Sequence, residues 1–171
     1  MQILVLSDSH GRTDILSRIL LLHPDADLII HCGDGEKELD SFLSAHPDWA
    51  FKIYHVCGNC DYTERSPRSL TLTLPFGHKL LAVHGHYLQY GDFHENLARF
   101  AKDEGADIAL FGHFHTRCDM TLDGVRLFSP GSCAQPRDGL PPSYGLIDIF
   151  ENGVLTSHAE LPRTSSSYAA D

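Results

Sequence analysis

Short apolar runs alternate with amphipathic helical patterns at the start of this chain, and this alternation limits the folds that it can adopt. Three runs have the length of buried strands, and they cover residues 3–6, 28–32 and 51–56. One helical pattern starts with Thr13 as its N-cap and ends at Pro24, and a second stops before Pro47. The order strand, helix, strand, helix, strand predicts a largely parallel sheet.

The second half of the chain has a different pattern. Residues 69–74 alternate Thr and Leu as a half-buried strand does, and residues 79–84 follow across a turn, which predicts a hairpin. The next predicted elements are a helix over residues 93–104, ended by Gly105, and a buried strand over residues 108–111. Two more tight hairpin turns are expected at Asp123-Gly124 and Asn152-Gly153. This half is therefore predicted to be mainly antiparallel.

The length of 171 residues is that of one domain. We predict a single α/β domain over residues 1–161. Residues 162–171 carry too little apolar surface to offset the entropy of ordering them, so a flexible C-terminal tail is expected there.

Charge and targeting signals exclude several classes of function. The net charge is −10 with histidine neutral, which is the wrong sign for nonspecific binding to nucleic acid. No apolar run approaches the ~18 residues of a membrane span, and the first residues lack the pattern of a signal peptide. Five cysteines, an odd number, favour reduced thiols. We therefore expect a cytoplasmic protein that does not bind membranes.

Histidine is unusually frequent, with 12 residues, and is the commonest metal ligand in proteins. Five loops that follow predicted strands carry Asp, Asn or His, and the carboxyl ends of strands in α/β sheets converge on one crevice. In extended backbone, residues two apart project to the same side, which suits chelation. The loops are Asp8-Ser9-His10, Gly33-Asp34, Gly58-Asn59, His84-Gly85-His86 and Gly112-His113-Phe114-His115.

These donors combine imidazole, carboxylate and amide oxygen without thiolate. Such a set suits Mn²⁺, Fe²⁺, Ni²⁺ or Zn²⁺ better than Ca²⁺. Seven donors are too many for one tetrahedral ion, and they suit two divalent ions that share a bridging carboxylate.

The ordered motifs DxH, GD, GNxD, HGH and GHxH resemble those of the calcineurin-like metallophosphoesterase superfamily. The GNCD form, the short chain and the later segment Ser129-Pro130-Gly131-Ser132 with Pro136-Arg137 are most similar to the small YfcE-like phosphodiesterases. The resemblance implies two mixed sheets packed as a sandwich between helices. It implies one metal on Asp8, His10 and His115, a second on Asn59, His84 and His113, and Asp34 as the bridge.

The resemblance also implies a reaction, in which a metal-bridging hydroxide attacks the phosphorus of a small phosphodiester substrate. Mn²⁺ is the expected metal, and the predicted catalytic residues are Asp34, Asn59 and His86. Two alternatives stay open. One is a noncatalytic scaffold, because a eukaryotic retromer subunit resembles the same fold, and the other is a phosphomonoesterase. A homo-oligomer is possible.

Position 60 departs from the pattern of the monoesterases, which typically carry a histidine there to protonate the leaving group. In this chain the residue is Cys60, and we expect it to be a small buried side chain. His86 is the candidate substitute acid or phosphate contact, and Arg12 and Arg137 are candidate phosphate contacts. Asp61 is expected to anchor its loop through backbone hydrogen bonds. The histidines outside the motifs are expected to be structural: His23, His31, His46, His55, His78, His94 and His158.

Overall fold

The structure is a computed structural model, and it describes residues 1–62 and 65–161. In chain order its strands are β1 (Gln2–Leu6), β2 (Leu28–His31), β3 (Ile53–His55), β4 (Ser69–Thr73), β5 (Lys79–Val83), β6 (Ile108–Leu110), β7 (Arg117–Leu122), β8 (Val125–Pro130), β9 (Ser143–Phe150) and β10 (Gly153–Glu160). The helices are α1 (Thr13–Leu22), α2 (Glu36–Ala45) and α3 (Phe93–Asp103), with short 3₁₀ helices at Pro47–Lys52 and Pro75–Gly77. The predicted tail, residues 162–171, lies outside the described residues, and the division into one domain stays a prediction.

The strands form two mixed sheets of five strands each. The first has the order β10-β9-β1-β2-β3, with β1, β2 and β3 parallel and β9 antiparallel to both of its neighbours. The second has the order β4-β5-β6-β8-β7, with β5, β6 and β8 parallel and an antiparallel strand at each edge. The predicted α/β class with two mixed sheets is confirmed.

Apolar side chains pack in three layers. Inward side chains of both sheets, such as Val5 and Phe128, fill the space between the sheets. Leu20 of α1 and Phe42 of α2 pack on the outer face of the first sheet, while Leu97 of α3 packs on the outer face of the second. The order is therefore helix, sheet, sheet, helix. Within the described ranges, no helix has both the length and the apolar character needed to span a bilayer.

Two predicted boundaries differ from the structure. The strand expected over residues 51–56 is reduced to β3, because Pro47 starts a 3₁₀ helix that continues through Lys52. Proline favours the first turn of a helix since its fixed φ angle is already helical. Thr13 is the first residue of α1 rather than its N-cap, and Arg12 occupies the cap position without a side-chain hydrogen bond.

The prediction of a mainly antiparallel second half is wrong for the centre of the second sheet. There β5, β6 and β8 run parallel, because α3 returns the chain across the sheet between β5 and β6. The predicted hairpins are present, since β4 pairs with β5, β7 with β8 and β9 with β10. The parallel strands of both sheets therefore supply carboxyl ends to loops.

Gly145 lies where the two sheets approach each other closely. A Cβ atom at this position of β9 would meet the Phe128 ring, with Cζ at 2.8 Å, and Phe128 is fully buried in β8. We predict that Gly145→Ala lowers the free energy of unfolding by about 1–3 kcal/mol because the packed core cannot yield to the added methyl group. Urea denaturation measures this change.

The same measurement on the double variant Gly145→Ala/Phe128→Leu tests the cause. A smaller side chain at position 128 removes the collision, so the cost of the alanine should shrink in this background. An equal cost in both backgrounds would show that the contact with Phe128 is not the reason.

Candidate metal centre

The five predicted loops meet at one edge of the sandwich. Each follows the carboxyl end of a strand, namely β1, β2, β3, β5 or β6, so both sheets contribute to the same site. Backbone hydrogen bonds join neighbouring loops: the Asp8 N–H donates to the Gly33 carbonyl at 3.0 Å, and the Gly112 N–H donates to the His84 carbonyl at 3.0 Å. The site is therefore assembled on the backbone of two sheets.

Strained backbone is concentrated in these loops. Seven non-glycine residues in the described part of the chain have positive φ angles, and five of them are predicted ligands. Such conformations are costly and cluster at functional sites. The pairs Asp8/His10 and His113/His115 are thus not in extended backbone as expected, yet their side chains converge. The five are Asp8, His10, Asp34, His113 and His115, with φ angles between 39° and 70°.

The first group of donors consists of Asp8, His10 and His115. The Nε2 atoms of the two histidines face each other at 3.0 Å, and Asp8 Oδ1 lies 3.3 Å from His115 Nε2 and 3.8 Å from His10 Nε2. Asp8 Oδ1 is buried and has no hydrogen-bond partner. A cation among these three atoms would satisfy the buried oxygen and both nitrogens, so this group fits a metal ion.

The second group consists of Asn59, His84 and His113. Asn59 Oδ1 lies 3.0 Å from His84 Nε2 and 2.9 Å from His113 Nδ1. Asp34 lies between the two groups, because its Oδ2 atom is 3.7 Å from His10 Nε2 and 3.5 Å from His84 Nε2. All seven predicted ligands are thus brought together, and Asp34 occupies the position of the predicted bridge.

Backbone carbonyls orient two of the imidazole rings. His84 Nδ1 lies 2.7 Å from the Cys32 carbonyl, and His115 Nδ1 lies 2.7 Å from the Gln135 carbonyl. A carbonyl only accepts, so each ring places its Nδ1 proton there and directs Nε2 into the site. This is the arrangement that metal-binding histidines use.

The electrostatic potential of the site favours a cation. Burial opposes a charge on His84 and on His115, but the nearby carboxylates of Asp34 and Asp8 raise the pKa of each ring above its ordinary value. The carboxyl of Asp34 is also buried, yet His84 and the Cys60 N–H lower its pKa to about 2. A potential that attracts protons to these rings also attracts a metal ion, which would compete with the protons.

Glycine in the loops makes room for the donors. A Cβ atom at Gly33 would lie 2.5 Å from His84 Nδ1, and Gly33 has a φ of +99°. A Cβ atom at Gly112 would lie 2.9 Å from Asp8 Oδ2. Neither position accepts a side chain, because the neighbouring loop passes too close.

Asp61 holds two loop segments together, and its predicted anchoring role is confirmed. Its carboxylate accepts hydrogen bonds from the N–H groups of Gly58 and Asp34 at 2.8 Å and from those of Gly35 and Glu36 at 3.0 Å. It therefore links the GNCD loop to the start of α2, where Asp34 must be held.

Sequence reasoning missed three supporting residues. Glu38, buried in α2, accepts from Ser9 Oγ at 3.1 Å and from the Gly11 N–H, which holds the loop that carries His10. Ser132 donates through Oγ to the Asp8 carbonyl at 2.7 Å. The Gln89 side chain contacts His113 Nε2. The SPGS segment was a signal for Ser132, whereas nothing local distinguishes Glu38 or Gln89.

The candidate residues around the donors differ in placement. Cys60 is exposed rather than buried as expected, because it lies at the tip of its loop, where Sγ accepts a 3.3 Å hydrogen bond from Asn59 Nδ2. The His86 ring lies 5.4 Å from the His84 ring, and its Nδ1 is buried without a partner. Arg137 is close enough to His115 for its charge to oppose protonation of that ring, although the net shift of the His115 pKa is upward. Arg12 instead pairs with exposed Asp14 at 2.8 Å, which argues against a phosphate contact.

The histidines outside the motifs have structural contacts. His78 Nδ1 lies 2.6 Å from Asp107 Oδ2, His23 contacts the Tyr144 hydroxyl at 3.1 Å, and His158 contacts the Ser129 carbonyl at 2.8 Å. His31 is fully buried, and neither ring nitrogen has a hydrogen-bond partner. Burial holds the pKa of His31 at about 3.

Comparison with known proteins shows the family. The model of the calcineurin-like phosphoesterase superfamily domain matches residues 1–152. The chain belongs to this superfamily. It is 36% identical over 158 residues to the probable metallophosphoesterase YsnB of Bacillus subtilis, covering 91% of this chain and 88% of the relative. It is 27% identical over 172 residues to the phosphodiesterase YfcE of Escherichia coli, covering 91% and 90%.

Solved structures share the fold. A crystal structure of a conserved uncharacterised protein, a predicted phosphoesterase, from Streptococcus pneumoniae has a TM-score of 0.81 and 28% identity, covering 93% of this chain and 88% of that chain. Vps29 from Entamoeba histolytica, complexed with Zn²⁺, has a TM-score of 0.71 and 22% identity, covering 93% and 98%. At that identity the Vps29 likeness is one of fold alone.

The anchoring by Asp61 has a measurable pH signature. Burial opposes ionisation, but His55 and the N–H groups of Glu36 and Gly58 outweigh it and lower the pKa of the Asp61 carboxyl. The resulting stability is present above a pH of ~3.9, the pKa of aspartate in the unfolded chain, and is lost as the pH falls below that value. Between pH 4 and pH 3, wild type should therefore lose up to about 1.4 kcal/mol more stability than Asp61→Asn.

Chemical denaturation in the presence of chelator at both pH values measures this difference without bound metal. Asp25→Asn, at an exposed position, is the matched control and should follow wild type. Parallel acid dependence of wild type and Asp61→Asn would contradict the anchoring energy assigned to this carboxylate.

Proposed function

We propose that this protein is a phosphodiesterase that uses two divalent metal ions. The observation that carries the proposal is the position of Asp34 Oδ2, 3.7 Å from a nitrogen of one donor group and 3.5 Å from a nitrogen of the other. One carboxylate oxygen within reach of both groups suits two ions that share a ligand.

The proposed ligands follow the two groups. Asp8, His10 and His115 hold one ion, Asn59, His84 and His113 hold the second, and Asp34 contacts both. Bound divalent ions supply positive charge to phosphoryl oxygens and acidify water, so that hydroxide is available to attack phosphorus. The imidazole, carboxylate and amide donors, without thiolate, suit Mn²⁺, Fe²⁺, Ni²⁺ or Zn²⁺, and of these we propose Mn²⁺.

The protein's own contribution is to position groups around the substrate. Asp34 acts as a catalytic residue in this proposal because its Oδ2 atom lies between the two donor groups. Asn59 acts as one because its Oδ1 atom lies between His84 and His113 of the second group. His86 contacts a phosphoryl oxygen in this proposal. Burial and the neighbouring His84 lower its pKa, so the neutral ring serves better as a hydrogen-bond donor than as an acid. Arg137 is the proposed charged contact to phosphate.

The preference for diesters rests on Cys60. In the metal-free protein, partial desolvation of Sγ by the surrounding loops and the nearby Asp34 raise the pKa of its thiol to about 11, far from the value near 7 that suits a general acid at neutral pH. Without an efficient acid, substrates with good leaving groups are favoured. The similarity to YfcE, named a phosphodiesterase, supports the same choice over a phosphomonoesterase.

A noncatalytic scaffold is the main alternative. The Vps29 structures share the fold of this chain. The donor set argues for catalysis. A protein-binding surface needs neither seven convergent donors nor a buried carboxylate oxygen without a partner at Asp8.

The setting of the enzyme is also a proposal. The five cysteines, all free, suit a reducing cytoplasm. The net charge of −10 disfavours nonspecific nucleic-acid binding and leaves a small phosphoester as the proposed substrate.

Metal content tests the proposal directly. Chelator-stripped protein reloaded with Mn²⁺ should bind about two ions per chain. Asp34→Asn should weaken both sites, since one carboxylate serves the two groups. Elemental analysis after gel filtration measures the stoichiometry, and a ratio near one that Asp34→Asn leaves unchanged would contradict the dinuclear centre.

Activity on bis(p-nitrophenyl) phosphate separates the enzyme from the scaffold. Asn59→Ala and His84→Ala should abolish hydrolysis while circular dichroism shows folded protein. His78→Gln is the control, because this histidine pairs with Asp107 outside the donor groups. If Asn59→Ala and His84→Ala both keep activity near wild type, the scaffold becomes the better interpretation.

Substitution at position 60 tests the missing acid. Cys60→His introduces an imidazole with a pKa of ~6.5 beside the donor groups, and general acids contribute typically 10²–10⁴-fold when the leaving oxygen is basic. We expect kcat/KM to rise mainly on alkyl diesters and monoesters, with little change on nitrophenyl diesters. If metal-loaded Cys60→Ala is inactive on substrates that wild type hydrolyses, the thiol itself takes part in the mechanism.

A further inference from the structure

A cavity of about 280 Å³ opens beside the candidate metal centre. His10, Asp34 and Cys60 form the wall nearest the donor groups, and Lys37 and Tyr62 line the cavity as well. A phosphodiester held at the centre carries two ester substituents, and this cavity can receive one of them. Its volume suits a single ring system or a nucleoside and is too small for a polymer segment.

The acidic side chains of the cavity are already engaged in holding the loops. Asp61 accepts four backbone hydrogen bonds, and Glu38 accepts from Ser9 and Gly11. Glu36 accepts from Ser66 Oγ at 3.2 Å. Their negative charge persists, so a substituent with further phosphate groups would be repelled. A cationic substituent stacked on Tyr62 would meet the Lys37 ammonium, so this end of the cavity favours a neutral substituent.

Lys37 and Tyr62 provide the binding surface. Tyr62 is 82% exposed, so its aromatic ring is available for contact with a ligand. The Lys37 ammonium lies 5.6 Å from the centre of this ring, a cation–π contact that restrains the ring's position. Lys37 is also the sole Lys or Arg among the described residues that line the cavity. An exposed, restrained ring is a stacking platform for planar groups.

We propose that this cavity is a substrate subsite that selects diesters with a neutral, ring-bearing substituent of up to nucleoside size, stacked on Tyr62. The inference rests on the proposed phosphodiesterase function and names its substrate class. Lys37 restrains Tyr62 from one face of the ring, and the bound ring stacks on the other face. Small alkyl diesters reach the donor groups but leave the subsite unfilled.

Two symmetric diesters test the subsite whichever ester bond is cleaved. kcat/KM is measured with Mn²⁺-loaded enzyme on bis(p-nitrophenyl) phosphate and on bis(2,2,2-trifluoroethyl) phosphate, and the aryl-to-alkyl ratio is compared between variants, so that intrinsic reactivity cancels. Tyr62→Ala should lower the ratio about tenfold, as expected for loss of one stacking contact. Tyr62→Phe retains the ring and should preserve the ratio. Lys37→Gln should lower it by a smaller factor.

Tyr90→Ala is the matched control, since Tyr90 is 91% exposed and lines a different cavity next to α3. It should leave both rates unchanged. If Tyr62→Ala lowers kcat/KM equally on the two diesters, or on neither, the proposed subsite is refuted while the phosphodiesterase function stands.

Adenosine binding separates failure of the subsite from failure of the function. In a titration followed by two-dimensional NMR, wild type should show saturable shifts at Lys37 and Tyr62 that Tyr62→Ala removes. If wild type hydrolyses neither diester, the proposed function fails, and this titration still decides the subsite. Absence of saturable shifts in wild type would overturn it.

Discussion

The buried charge of Asp8 and Asp34 is the constraint on which the rest of the site depends. An ionised carboxylate away from water is costly unless hydrogen bonds or cations compensate it. Ser7 Oγ and the His113 N–H donate to Asp8 Oδ2 at 2.6 Å and 3.1 Å, and the Cys60 N–H donates to Asp34 Oδ1 at 2.7 Å. The remaining oxygens, Asp8 Oδ1 and Asp34 Oδ2, face histidine nitrogens. The charge that the protein leaves uncompensated is therefore directed at one place, where a metal ion is the natural partner.

The surrounding loops are built to hold that charge in position. Five candidate ligands adopt positive φ angles, which the chain sustains because neighbouring loops are cross-linked through their backbones and through Asp61, Glu38 and Ser132. These supporting groups come from α2, from the loop after β3 and from the loop after β8. Contacts from separate parts of the chain thus stabilise the strained loop conformations. A change in one loop therefore affects donors in another.

The acidic composition bears on how the proposed enzyme would bind an anionic substrate. An anionic substrate approaches a protein with a net charge of −10, so its affinity must come from local positive charge. In the proposed function, two ions and Arg137 supply that charge at the phosphate. The cavity beyond retains its carboxylates, and only Lys37 among its described lining residues offsets them. In the proposed function, catalysis and substrate choice therefore depend on the same distribution of charge.

The sequence alone determined the order of elements, the α/β class and the five donor loops, because strand and helix periodicity and glycine-rich loop motifs are local properties. It also placed these loops at carboxyl ends of strands, a rule that transfers between sheets. The parallel centre of the second sheet and the strand shortened at Pro47 were not predicted, although strand-helix-strand order and proline preference are local, whereas the exposure of Cys60 could not be determined. Glu38 and Gln89 likewise became part of the site only in three dimensions. Their contacts join residues distant in the chain, and such contacts arise from the packing of two sheets against each other, which no local pattern encodes.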